Sequence, residues 1–165
     1  MLAPVSALTP TQIEVHVFRR RGRTVEFLCL RRSARSRLPG VWQPVTGSLR
    51  RGESAVRGAA RELREETGLE PRRWWALESV AVYFDARTGR VHALPIFAAE
   101  VEARARVTLS SEHDRFEFLP ARRAGHRYLW EAQRRALDAV RREVLRGGAL
   151  ARALELARPA PRART

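Results

Sequence analysis

The segment from Gly47 to Leu69 constrains this chain more than any other part of its sequence. It reads GSLRRGESAVRGAARELREETGL, and its acids Glu62, Glu65 and Glu66 are spaced i, i+3 and i+4. On a helix this spacing puts them on one face, with neighbouring Cβ atoms roughly 5–6 Å apart. Carboxylates this close repel one another unless a positive charge lies among them. A hard cation such as Mg²⁺ or Mn²⁺ suits that position because it prefers oxygen ligands. A solvated helix face paired with arginines is the alternative.

The same segment resembles the signature of the Nudix hydrolases, G-x5-E-x7-R-E-U-x-E-E-x-G-U, in which U is aliphatic. The matching residues are Gly47, Glu53, Arg61, Glu62, Leu63, Glu65, Glu66, Gly68 and Leu69, with no departure at any position. The resemblance implies an α/β fold, the Nudix-type α/β/α sandwich with a mixed β-sheet between helices. It also implies a hydrolase of phosphoric anhydrides that uses Mg²⁺, or Mn²⁺ in its place. The metal ligands it implies are the three glutamates and the backbone carbonyl of Gly47, although a positive φ is an equal reason for that glycine.

The remaining signature residues are expected to support the frame around the acids. Arg61 lies four residues before Glu65, so an ion pair can hold that carboxylate in one rotamer. Glu53 lies just outside the start of the helix, where the macrodipole favours a carboxylate. We expect the helix to begin near Ser54, which is a suitable N-cap, and to stop at Gly68.

Hydrolysis also requires a general base that takes a proton from the attacking water. Glu62 within the signature is one candidate, and Glu112 in the segment LSSEHDRFEFLP is the other. Several Nudix enzymes place a base or a further metal ligand on a loop in this region, and an exposed loop acid is the alternative interpretation of Glu112. His113 is a weaker candidate, because a lone histidine is more often a surface or packing residue.

The residues before the signature indicate a substrate class. Residues 41–48, VWQPVTGS, resemble the W-Q-x-V-T-G-S segment of the dihydroneopterin triphosphate pyrophosphatases, and the pair Glu112-His113 is similar to a later segment of that subgroup. This resemblance implies a pterin or purine triphosphate, such as dihydroneopterin triphosphate or dATP, cleaved to a monophosphate and pyrophosphate. Aromatic rings can stack on the heterocycle and arginine can bind phosphate, so the candidate substrate contacts are Trp42, Gln43, Arg50 and Tyr83.

Two other functions fit the same signature. The substrate could be another nucleoside diphosphate linked to a second group, such as a dinucleoside polyphosphate, ADP-ribose, an mRNA cap or an oxidised nucleotide. The chain could also be a non-catalytic module that binds a nucleotide or RNA. Such modules tend to lose signature glutamates, and none is missing here. Aromatic residues interleaved with basic ones, which single-stranded nucleic acids favour, are confined to residues 72–75.

The amino-acid composition limits which classes of binding partner we expect for this chain. The formal net charge is +14, but all 32 basic residues are arginine, which is typical of the codon bias of a GC-rich genome. We therefore expect a basic surface that attracts a phosphorylated small molecule, and no nucleic-acid partner. No apolar run approaches the ~20 residues that span a bilayer, so we expect no membrane partner. The N-terminus lacks a secretory pattern, and the single cysteine, Cys29, lies in an apolar run, which favours a reducing cytoplasm. The oligomeric state is left open.

The 165 residues have room for one domain with its own core. We expect an N-terminal extension (1–10), a Nudix domain (11–147) and an Ala/Arg-rich C-terminal tail (148–165) with one short helical stretch. Alternation and turn residues predict strands at 11–20, 24–30, 41–46, 74–84, 91–101 and 116–119, with Pro44 interrupting the third. Apolar residues at helical spacing predict an amphipathic helix over 127–145, and Gln133 is the polar exception on its apolar face.

Overall fold

Strand β1 (Gln12–Arg21) lies in the interior of the sheet and its alternation defines two faces. Ile13, Val15 and Val17 belong to one buried cluster, whereas Phe18 belongs to the other. Successive side chains of a strand point to opposite faces, so β1 separates two cores. The computed structural model describes residues 9–158.

The remaining elements follow β1 in chain order. They are β2 (Thr24–Arg32), β3 (Trp42–Gln43), β4 (Val45–Ser48), α1 (Ala55–Thr67), β5 (Arg73–Asp85), β6 (Arg90–Val101), β7 (His113–Pro120), α2 (Ala121–Arg127), α3 (Glu131–Val140), a π-helical turn (Arg141–Leu145), α4 (Gly148–Leu154) and β8 (Glu155–Leu156). Among the described residues, no helix combines the length and the apolar character needed to cross a membrane.

The described strands form one mixed sheet of eight strands. The hydrogen-bonded order is β3-β2-β1-β6-β5-β8, with β4 also paired to β1 and β7 to β2. The pair β1–β6 is parallel and the other pairs are antiparallel. Helix α1 contributes Leu63 to the core on one face, and α3 contributes Leu137 to the core on the other. These layers confirm the predicted α/β/α sandwich.

Most predicted strands are confirmed, but the segment 41–46 forms two strands instead of one. β3 pairs with β2, and β4 pairs with β1. Pro44 stands between them; it has no backbone N–H to donate to a ladder, so the chain changes partner there.

The predicted helix over 127–145 was wrong at its start. The helix begins at Glu131, and Leu129 and Trp130 are 49% and 51% exposed instead of buried. The short helix α2 precedes it and was not predicted. The two helices are separated by Tyr128, whose extended backbone ends α2 and whose side chain is buried in the core. The single helix predicted over 127–145 therefore includes the connection between α2 and α3.

The segment after Gly147 contributes to the described fold. α4 forms the expected short helix, and β8 then pairs with β5 through Trp74 and Trp75. Leu156 packs against the core beneath α1. The expected N-terminal extension lies mostly outside the described residues, as does the expected tail beyond residue 158.

Replacing Leu63 with alanine should destabilise the fold, because Leu63 is fully buried between α1 and the sheet. The expected loss in free energy of unfolding is about 2–5 kcal/mol, measured by urea denaturation followed by circular dichroism. Val56→Ala on the exposed side of the same helix is the matched control, with an expected change within about 0.5 kcal/mol. Equal losses in the two variants would contradict the packing of α1 described above.

Candidate active site

Helix α1, which carries the acids, has defined caps at both ends. The side chain of Ser54 accepts a hydrogen bond from the backbone N–H of Arg57, as expected of an N-cap. Gly68 ends the helix in the left-handed region at φ 67°, and its N–H donates to the carbonyl of Arg64. Both predicted ends of the helix are therefore confirmed.

Gly47 is required by a close contact. A Cβ atom placed on it would lie 2.1 Å from the Cδ atom of Glu62. Its φ is not positive, so the conformational explanation considered for this glycine was wrong. Since Gly47 pairs with Ile13 in the sheet, the missing side chain lets Glu62 lie directly against the backbone of β4.

The guanidinium of Arg61 joins the loop before α1 to the helix itself. It donates two hydrogen bonds of 2.8 Å to the carboxylate of Glu53 and one of 2.9 Å to the carbonyl of Ser48. It also donates to Glu62 at 2.6 Å and to Glu65 at 3.0 Å. The predicted ion pair between Arg61 and Glu65 thus exists, within a wider network.

Glu53 is held in place by hydrogen bonds from Arg61. The Arg61 hydrogen bonds lower the pKa of Glu53 to about 2, with a further contribution from the backbone N–H of Arg50. Glu53 therefore remains an anion at neutral pH and fixes the loop against α1.

A cavity of about 1030 Å³ opens beside α1. The carboxylates of Glu62, Glu66 and Glu112 line it, together with Gln43 and Arg32. The sequence predicted all of these except Arg32 as site residues, and the structure brings them to one cavity. A volume of this size accommodates a nucleotide-sized ligand.

Glu66 has the least compensated charge in this group. It is 4% exposed, and its Oε2 atom has no hydrogen-bond partner. Burial raises the pKa of Glu66 to about 9, and the neighbouring Glu62 and Glu112 raise it further. Without a bound cation, this side chain is thus expected to be protonated at neutral pH.

His113 is a buried neighbour of Glu66 that we expected on the surface or in packing. Its Nδ1 atom lies 3.9 Å from Oε2 of Glu66, beyond hydrogen-bond distance, and has no other partner. Burial lowers the pKa of His113 to about 4, and Arg32 lowers it further. A neutral imidazole cannot balance an ionised Glu66, whereas a bound divalent cation would.

The donor set fits a divalent metal, although it is not arranged as a complete metal site. Among residues 9–158, no three His, Cys, Asp or Glu side chains are grouped so as to hold a metal ion. Arg61 already donates a hydrogen bond to one carboxylate oxygen of Glu62 and to one of Glu65. Glu66 nevertheless offers an unpartnered carboxylate oxygen beside Glu62, and oxygen donors of this kind suit Mg²⁺.

Two of the predicted substrate contacts line the cavity. Gln43 is buried; its amide nitrogen donates to the hydroxyl of Thr46 at 3.2 Å, and its oxygen accepts from Arg32 at 3.3 Å. Tyr83 donates its hydroxyl hydrogen to Gln12 at 2.8 Å. Both side chains are therefore held in place at the cavity wall.

Three other predicted site residues do not line the cavity. Trp42 precedes Gln43 on β3 and so faces the other way, against the core and beneath the guanidinium of Arg127. Arg50 pairs with Glu65 at 3.1 Å, and both side chains are largely exposed to solvent. These three side chains therefore lie outside the lining of the cavity in the described structure.

The sequence did not indicate the part of the cavity wall formed by Glu14, Leu94, Gln133 and Trp130. Glu14 is a polar residue within the strand predicted at 11–20, yet it is buried. A signal was present for Gln133, since it is the polar exception on an apolar helix face. The buried residues of the wall follow from tertiary packing, which periodicity alone does not reveal.

Replacing Glu53 with glutamine should destabilise the protein in a pH-dependent way. The folded-state pKa of about 2 lies below the ordinary 4.5, so the carboxylate stabilises the fold above pH 4.5 and this contribution is lost as pH falls towards 2. Urea unfolding of both proteins between pH 7 and pH 3 should show a difference in free energy of unfolding that narrows below pH 4.5. A difference that is constant over this range would contradict the Arg61–Glu53 contact.

A family model and a curated relative match this chain. The NUDIX domain model matches residues 10–140. An octanoyltransferase from Myxococcus xanthus is 36% identical over 114 residues, which cover 65% of this chain and 30% of that protein. The chain therefore spans less than a third of the length of this relative.

Solved structures share the fold. The MutT protein of Methanosarcina mazei is 28% identical with a TM-score of 0.63, covering 84% of this chain and 98% of that chain. Dihydroneopterin triphosphate pyrophosphohydrolase of E. coli is 21% identical with a TM-score of 0.65 (79% and 93% covered). An Ap4A hydrolase of C. elegans is also 21% identical, with a TM-score of 0.67 (79% and 94% covered). With the family model matching most of its length and the signature complete, the chain belongs to the Nudix family.

Proposed function

We propose that this protein is a Mg²⁺-dependent pyrophosphohydrolase that cleaves a nucleoside-triphosphate-like substrate to a monophosphate and pyrophosphate. Dihydroneopterin triphosphate and dATP-like compounds are the substrates we favour. The observation that carries the proposal is the single cavity that joins three carboxylates, Glu62, Glu66 and Glu112, to a wall of apolar and aromatic residues that includes Tyr83 and Leu94. Such a cavity suits a ligand with phosphates at one end and a flat ring at the other.

Arginines around the cavity support a polyanionic substrate. Arg32, Arg37, Arg87 and Arg135 all line it. The Nε atom of Arg32 is buried without a hydrogen-bond partner, so a phosphate oxygen would satisfy it. The planar guanidinium group matches phosphate geometry, which makes arginine well suited to this role.

Glu62 and Glu66 are the side chains we propose as metal ligands at the cavity, with Glu65 and the carbonyl of Gly47 completing the set. Binding by Glu65 requires it to exchange its arginine partners for the cation, because Arg50 and Arg61 hold it now. A bound Mg²⁺ would neutralise charge that develops on the phosphate oxygens and favour ionisation of water.

Glu112 is the residue we propose as general base. It lies on the loop before β7, lines the cavity with Glu66, and forms no ion pair with a described residue. Glu62 remains the other candidate, but its Oε1 atom accepts a hydrogen bond of 2.6 Å from Arg61 and so is less free to take a proton.

The alternatives differ in what they require of the cavity. A dinucleoside polyphosphate, ADP-ribose or an oxidised nucleotide would use the same acids, and the fold does not choose among them. A non-catalytic module would not need the complete set of signature glutamates.

The name of the octanoyltransferase relative raises the question of acyl transfer. Acyl transfer through cysteine is not proposed for this chain, because its single cysteine, Cys29, is buried and burial raises the pKa of the thiol to about 12.

A panel of diphosphate-containing compounds with Mg²⁺ should identify the reaction. We expect triphosphates of a pterin or a purine nucleoside to give the monophosphate and pyrophosphate, measured by chromatography of the products and by a pyrophosphate assay. Activity should disappear with a chelator and return with Mg²⁺ or Mn²⁺. Cleavage of ADP-ribose or dinucleoside polyphosphates alone would contradict the proposed substrate class and leave the hydrolase assignment in place.

Substituting either metal ligand at the cavity should greatly reduce turnover. We expect Glu62→Gln and Glu66→Gln each to lower kcat with Mg²⁺ by at least about 10²-fold, the scale for loss of a metal ligand or base. Glu70→Gln is the control, because Glu70 pairs with Arg64 on the surface outside the cavity. Full activity in the Glu66 variant would remove that residue from the metal site.

A further inference from the structure

Two buried polar side chains line the cavity without a role in the proposed hydrolysis, namely Glu14 and Gln133. They are 2% and 5% exposed. Burial of polar groups costs free energy unless hydrogen-bond partners satisfy them. The Oε1 atom of Gln133 has no such partner. A ligand in the cavity would supply it, which makes this wall a candidate recognition surface.

Glu14 is held in position by a buried neighbour. Its Oε1 atom lies 2.6 Å from Nε2 of His16, and the ring of His16 in turn lies edge-on against Tyr128 at 5.9 Å. No hydrogen bond from a described residue reaches the second oxygen, Oε2. A carboxylate can only accept hydrogen bonds, so a ligand that reaches Oε2 must present donors.

The sheet beside Glu14 provides an apolar surface for a flat ring. Glu14 is opposite Ile96 of β6, and Leu94 lies two residues earlier on the same face. Leu94 pairs with Ala81 of β5; both are buried and both line the cavity. Tyr83 completes this surface. The polar side chains can therefore contact the edge of a heterocycle while its face lies on apolar residues.

We propose that Glu14 selects the heterocycle of the substrate and takes a ring edge that presents two adjacent N–H donors. The 2-amino-4-oxo pyrimidine edge, which guanine and pterins share, has this pattern. Adenine presents an amino donor beside a ring nitrogen that is an acceptor, and that nitrogen repels a carboxylate. The inference rests on the proposed function and deepens it, because it favours pterin and guanine triphosphates over dATP.

Gln133 can bind different heterocycles and does not discriminate between them. An amide offers both a donor and an acceptor, so Gln133 can bond to either a ring carbonyl or a ring N–H. Glu14 offers acceptors alone. The choice between heterocycles therefore depends on Glu14.

Glu14→Gln is a sharp test because it changes the hydrogen-bonding pattern with little change of shape. The amide oxygen can still accept from His16, while the new amide nitrogen donates and so suits adenine better. Glu78→Gln on β5 is the control, since Glu78 is exposed and does not line the cavity. Thermal unfolding followed by circular dichroism would establish that each variant is folded.

The primary measurement is the binding of GMP and AMP by calorimetry, which needs no turnover. We expect the wild type and Glu78→Gln to bind GMP about 10–100-fold more tightly than AMP, the range for a good bidentate contact to a base edge. In Glu14→Gln this preference should disappear or reverse. Values of kcat/KM for dihydroneopterin triphosphate, dGTP and dATP, measured alongside, would show whether the natural ring is pterin or guanine.

The outcomes separate this inference from the proposed function. Equal binding of GMP and AMP by the wild type overturns the inference, even if Glu14→Gln fails to fold. A Glu14→Gln variant that keeps the wild-type preference for GMP over AMP also overturns the inference. A GMP preference lost in Glu14→Gln, without hydrolysis of any triphosphate, would support the inference and refute the proposed substrate. Hydrolysis of the triphosphates without discrimination between bases would do the reverse.

Discussion

The hydrogen bonds of the Arg61 guanidinium are the interaction on which the rest of the site depends. One side chain contacts Ser48 and Glu53 in the loop and Glu62 and Glu65 on the helix. Its N–H donors have a fixed planar arrangement, so each acidic partner is held at a defined angle. Without this group, two carboxylates of α1 would face one another uncompensated. The arginine therefore both fixes the loop and sets which acids remain available to a metal.

Helical geometry explains why Glu66 is the acid left without a partner. Consecutive residues of an α-helix are rotated by about 100° around its axis, as 3.6 residues per turn requires. Glu65 consequently points to solvent, where Arg50 reaches it, whereas Glu66 points into the buried cavity beside His113. Burial also raises the pKa of Glu66. The carboxylate oxygen without a hydrogen-bond partner thus lies on the cavity side of the helix.

The sequence was most informative where function requires particular residue types at fixed spacing. It predicted α1 with both of its ends and the Arg61–Glu65 pair, but not the contact with Glu62 that excludes a side chain at Gly47. It failed where the outcome depends on which face a side chain takes. Trp42 and Gln43 are neighbours with the same motif support, yet only Gln43 lines the cavity. Similarly, helical spacing extended the predicted α3 through Trp130, because periodicity does not detect the extended backbone at Tyr128.

Strand β4 connects the two ends of the cavity within two adjacent residues. Gly47 pairs with Ile13 and contacts Glu62, whereas Thr46 pairs with Glu14 and bonds to Gln43. Because adjacent residues of a strand point to opposite faces, the acids of α1 and the carboxylate of Glu14 approach the same cavity from the two sides of one short strand. Residues on β4 therefore contact both the acids of α1 and the part of the wall that contains Gln43. A side chain at Gly47 would displace Glu62, and a change at Thr46 would remove the hydroxyl that accepts a hydrogen bond from Gln43, so both positions help to set the shape of the cavity.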